Sequence, residues 1–153
     1  MKAVAIFIIA TASAFTPPPV VWPWLLAPQN ATGNIPTYRN TMPIGNGRVA
    51  ANVFVEDNAT LGLLLSSQEA YLEDGELAKV GWLRVKMSPP PGEFAEMRLD
   101  VNAATVWVYY KGGAKFSVFA HALTDTFVID VSSPTKIDIA VEATLARPKR
   151  KEK

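Results

Sequence analysis

Strict alternation of apolar and polar residues, repeated in run after run between Val49 and Leu145, constrains this chain more than any other feature of its sequence. Val49, Ala51, Val53 and Val55 share one parity, with Asn52 and Glu56 on the other. Leu61, Leu63 and Leu65 repeat the pattern, and Leu83, Val85 and Met87 alternate with Arg84 and Lys86. Farther along, Phe116, Val118 and Ala120 alternate with Lys115, Ser117 and Phe119, and Phe127, Ile129 and Val131 with Asp130 and Ser132. The last run sets Ile137, Ile139, Val141, Ala143 and Leu145 against Lys136, Asp138, Glu142 and Thr144. Successive side chains of a strand point to opposite faces, so period two over this many runs predicts strands with one face buried.

The breaks between the runs carry turn chemistry: Asp57-Asn58, Asp74-Gly75, Asn102-Ala103, Gly112-Gly113, Thr124-Asp125 and Ser133-Pro134. Gly112-Gly113 is the sharpest, because glycine accepts the positive φ of a tight hairpin. Short strands separated by such turns predict an all-β fold, an antiparallel β-sandwich. A length of 153 residues suits one domain, and with no cysteine that domain is held by packing alone. A disulfide framework, a thiolate metal site and a cysteine nucleophile are excluded.

The two ends differ from the middle. Lys2, the apolar run Ala3 to Ala10 and the small residues Ala12-Ser13-Ala14 have the layout of a secretory signal peptide, residues 1–14. The run falls short of the roughly 20 apolar residues of a membrane-spanning helix, so a membrane contact is expected only through an uncleaved signal segment. The expected location is secreted or extracytoplasmic. Asn30-Ala31-Thr32 and Asn58-Ala59-Thr60 are glycosylation sequons, which makes Asn30 and Asn58 candidate acceptors. Residues 15–42 form a Pro/Trp-rich extended arm, with Pro17, Pro18, Pro19, Trp22, Pro23, Trp24 and Pro28 unsuited to a central strand. The sandwich is expected over residues 43–146, and residues 147–153 are a basic tail that begins where Pro148 stops the last strand.

Little in the chain suggests chemistry. The balance of 15 basic and 14 acidic residues, a net charge of +1, does not suit a nucleic-acid partner. A nucleophilic triad needs a base, and His121 is the sole histidine; it is read as lying in a strand that runs to Ala122, on the face opposite Phe116 and Val118. Glu69, Glu73, Asp74 and Glu76 could offer oxygens to calcium but lack an EF-hand spacing and read as a solvated acidic turn. No carboxylate pair is marked out for glycoside hydrolysis, and no catalytic residue, metal ligand or cofactor is assigned. Pro43-Ile44-Gly45-Asn46-Gly47-Arg48 opens a strand and lacks the Gly-Lys-Ser/Thr ending of a phosphate loop, so it reads as a glycine-rich turn.

That turn carries a resemblance. Thr41 to Leu65, "TMPIGNGRVAANVFVEDNATLGLLL", resembles the "PLGNGRLGAMVFG" segment of family 95 glycoside hydrolases, typified by α-L-fucosidases, and of a related uncharacterised family of secreted glycoside-hydrolase-like proteins. The likeness to the latter continues through Ser66 to Pro89, Met97 to Val108 and Phe116 to Ser133, and "VVW" at Val20 to Trp22 matches its usual opening. It implies an N-terminal β-sandwich that precedes an (α/α)₆ catalytic barrel, absent from these 153 residues. It also implies an interdomain or substrate-rim position for Gly45, Asn46, Gly47 and Arg48, and for Tyr71, where the related family tends to have tryptophan. Plain turn geometry is the alternative for the first four; replacing Asn46 or Arg48 is expected to leave folding nearly intact and to matter only when the barrel is attached.

The chain is therefore expected to be a non-catalytic module of a secreted glycoside-hydrolase-like protein, with the missing helical domain as its partner. The alternative is a free-standing carbohydrate-binding domain that stacks sugars on Trp82, Trp107, Tyr109 or Tyr110.

Overall fold

The computed structural model describes residues 5–10, 41–71 and 77–146. The arm up to Asn40, the Asp74-Gly75 turn, the acids Glu73, Asp74 and Glu76, and the tail lie outside these residues. Ten strands are described: β1 (Ala5–Ala10), β2 (Met42–Gly45), β3 (Val49–Asp57), β4 (Thr60–Tyr71), β5 (Leu77–Ser88), β6 (Phe94–Asp100), β7 (Thr105–Tyr110), β8 (Lys115–Ala120), β9 (Thr126–Ser132) and β10 (Asp138–Leu145). They form two five-stranded sheets, one in the order β1-β9-β8-β7-β6 and the other β10-β5-β4-β3-β2. All neighbours pair antiparallel except β1, which lies parallel to β9 from Ala5 opposite Thr126 to Ala10 opposite Val131. The apolar run that reads as the core of a signal peptide is thus an edge strand here.

The predicted parity holds through the body of the sandwich. Val49, Ala51, Val53, Val55, Leu61, Leu63, Leu83, Val85 and Met87 of one sheet are buried in a single core with Val106, Val108, Phe116, Val118, Phe127, Ile129 and Val131 of the other. Burying a side chain of this size contributes about 1.5–3 kcal/mol, which is how a chain without cysteine holds two sheets together. On the other face of the sheet that holds β3 and β4, outside that core, Gly62 makes room for Phe54: a Cβ at Gly62 would run into the ring of Phe54, its neighbour on β3.

Two expectations are corrected, and one strand is added. The run from Ile137 to Leu145 does not bury its apolar parity: Ile137 and Ile139 are half-buried, while Val141, Ala143 and Leu145 are exposed. β10 continues the sheet past the part of the core that the opposite sheet covers. The strand containing Phe116 ends at Ala120 and not at Ala122, because the His121 N–H bonds to the Thr126 carbonyl and starts a turn. β6, which shows no clean alternation, is a strand all the same, with a register shift between Phe94 and Glu96.

Candidate functional site

The glycine-rich turn joins β2 to β3. The Asn46 N–H donates to the Val49 carbonyl at 3.1 Å, and Gly47 takes φ +89°, a left-handed angle that glycine adopts without strain. Asn46 Oδ1 accepts from the backbone N–H groups of Arg48 (2.9 Å) and Val49 (3.0 Å), an Asx-type closure of the turn. Up to this point the turn is self-contained.

The other half of the Asn46 amide reaches the opposite sheet. Its Nδ2 donates to the carbonyls of His121 (2.8 Å) and Thr124 (2.9 Å), both in the β8–β9 turn. Two donors and two acceptors are thereby all engaged, which is the full capacity of an amide side chain. Arg48 adds a second tie: its Nη2 lies 3.1 Å from Asp125 Oδ2. The β8–β9 turn is also held from within. Leu123 N–H donates to His121 Nδ1 at 3.3 Å, and the Thr124 hydroxyl lies 2.9 Å from the same nitrogen. With Nδ1 accepting, the proton of the neutral ring sits on Nε2.

The result is a stapled end of the sandwich that faces outward. Gly47, Arg48, His121 and Thr124 are exposed, and Leu123 shows 84% of its surface. Asp125, 19% exposed in its side chain, keeps Oδ1 buried without a hydrogen-bond partner. An unpaired buried carboxylate oxygen is a costly group.

Of the remaining sequence-derived positions, Tyr71 ends β4 with its backbone opposite Leu77. Asn58 lies exposed in the β3–β4 turn, with its Oδ1 accepting from Phe94 N–H at 2.9 Å, and Asn30 is outside the described residues. Of the aromatics considered for sugar stacking, Tyr110 and Trp107 are buried and Tyr109 is half-buried. Burial raises the Tyr110 phenol above its ordinary value, reinforced by the Asp57 carboxylate. Trp82 is 44% exposed, but the Arg84 guanidinium stands 5.7 Å from its ring centroid. Arg84 donates from Nε and Nη2 to the Glu56 carboxylate at 2.6 and 3.1 Å, and this hydrogen bonding raises its pKa. Among the described residues no group of three or more His, Asp or Glu side chains is placed to hold a metal ion.

Sequence reasoning picked out Gly45 to Arg48 and missed their partners, Thr124 and Asp125. A family model described as a domain of unknown function (DUF5703) matches residues 35–153, a span that contains both turns. No curated protein and no solved structure matches the chain.

Proposed function

We propose that this chain, which belongs to the family of the DUF5703 domain of unknown function, is the non-catalytic N-terminal sandwich of a secreted glycoside-hydrolase-like protein. In this reading it braces a separate (α/α)₆ catalytic barrel. The observation that carries the proposal is the staple at the end of the sandwich. Asn46 fixes the Gly45-Asn46-Gly47-Arg48 turn to the 121–125 turn of the other sheet, which presents the exposed Leu123 beside the Arg48–Asp125 ion pair. A braced platform with an apolar anchor and a charged neighbour suits recognition of another domain. The resemblance to family 95 glycoside hydrolases supplies the nature of that domain, and the small-residue site at Ala12-Ser13-Ala14 supports export.

A free-standing carbohydrate-binding domain is the second reading, favoured by the exposure of Trp82. Arg84 over that ring competes with a sugar for the same aromatic surface, which ranks this reading lower.

The test is to express the polypeptide encoded downstream of codon 153 together with residues 1–153. The proposal expects an in-frame helical segment that co-purifies with the chain and is released by Leu123→Asp or Arg48→Glu. A downstream sequence without such a segment, or an association indifferent to both substitutions, overturns it.

A further inference from the structure

Among the described residues β10 is an edge strand, with β5 as its one partner. Its pairing with β5 runs without a register shift from Asp138 opposite Ser88 to Leu145 opposite Gly81, so its other edge offers a straight row of backbone donors and acceptors. Proteins usually blunt such an edge with a proline, charged side chains, above all lysine, or a bulge; Asp138–Leu145 has no proline, lysine or bulge, and its two charges are the carboxylates Asp138 and Glu142. The core-facing parity continues the buried rows of β5, with Ile139 beside Met87, Val141 beside Val85 and Ala143 beside Leu83. Yet Val141 is 44% and Leu145 76% exposed.

We infer that this edge is the seat of a second copy of the same chain, paired antiparallel through β10 about a twofold axis at Val141. Face parity and charge restrict the register and overlap decides it: axes at Ile139 or Ala143 also avoid opposed like charges but pair only Asp138–Ala140 or Val141–Leu145 of the strand, whereas an axis at Val141 pairs Asp138–Thr144. Residues directly opposite share a face, so apolar parity must meet apolar parity, and the axis must pass through a residue and not between two. An axis at Glu142 stacks two glutamates, and one at Ala140 sets Asp138 against Glu142. With the axis at Val141, Val141 meets Val141, Ile139 meets Ala143, Asp138 meets Thr144, and Ala140 meets Glu142 of the second copy. No like charges are then opposed.

The outer face agrees. Within one chain Glu142 lies beside Arg84 and Ala140 beside Lys86, and Lys86 Nζ reaches Glu142 Oε2 at 2.7 Å. That bond and the nearby cation lower the Glu142 pKa, so it carries its charge at neutral pH. In the paired sheet each Glu142 would stand between Arg84 of its own copy and Lys86 of the other, with alanine giving the lysine room. The isologous contact would join two five-stranded sheets into one of ten strands. It lies on a different part of the surface from the stapled turns, so it stands or falls independently of the docking proposal.

The full 153-residue chain supplies the test. Light scattering behind a sizing column, over about 1–100 µM, a range suited to a modest interface, should show the mass rising towards twice that of the chain. Val141→Lys sets two ammonium groups on the axis and should stay monomeric throughout, unfolding at the midpoint that the unsubstituted chain shows at the lowest concentration. Since the chain has no cysteine, Val141→Cys should oxidise to a covalent dimer, the spacing of directly opposed residues being within disulfide reach. Ala140→Cys mixed with Glu142→Cys should cross-link to each other, and Ala140→Cys alone should not. A monomer over the whole range, a dimer untouched by Val141→Lys, or cross-links in another register would each overturn the inference.

Discussion

At the scale of single residues, Asn46 decides most. Its identity follows from the turn, where asparagine before glycine tolerates the required angles and closes an Asx turn. Its tie to His121 and Thr124, 75 and 78 positions away, leaves no local trace, because only the completed sandwich brings those carbonyls within reach. The low cost expected of a plain turn residue therefore gives way to a larger one. Asn46→Asp is isosteric but turns two attractive contacts into an oxygen facing two carbonyl oxygens. It should lower stability by about 1–3 kcal/mol, read from the midpoint of urea unfolding. Tyr110 gives the opposite sign: its buried hydroxyl has no hydrogen-bond partner, so Tyr110→Phe should be neutral or stabilise by about 1 kcal/mol. The pH dependence follows from the raised pKa. Below about pH 10 the phenol is protonated in both states, and above it the unfolded chain loses the proton that the folded chain keeps. Stability should then fall as pH rises past about 10, with a slope shallower in Tyr110→Phe, measurable by unfolding at a series of alkaline pH values.

Among the elements, alternation made β3, the first half of β4, β5, β8 and β9 legible, because each buries one face against the other sheet and a period-two code survives intact. β6 was illegible for a physical reason. An extra residue between Phe94 and Glu96 shifts its register against β7 and breaks the alternation where the strand begins. β10 shows the reverse failure, a clean code whose apolar parity this chain leaves largely uncovered. Contact between elements also fixes one glycine. Gly62→Ala would drive a methyl group into the Phe54 ring and should cost about 1–3 kcal/mol. Most of that cost should vanish in the background of Phe54→Ala, and a double-mutant cycle with no coupling would show that the two do not press on each other.

For the whole molecule, the sandwich was legible from its strands, whereas the staple and the open edge needed the fold to be seen. Export belongs to this scale. Mass spectrometry of the native protein should find a mature start close to Phe15, and an intact Met1 on a cytosolic protein would count against it. Such processing removes β1 but leaves β6 to β9 in their antiparallel order, so residues 15–153 should still unfold cooperatively in urea. If the proposed supporting role is right, the purified chain alone should turn over no aryl glycoside, an α-L-fucoside among them, above background. Robust hydrolysis that disappears with Asp125→Asn or Glu69→Gln would rule that role out.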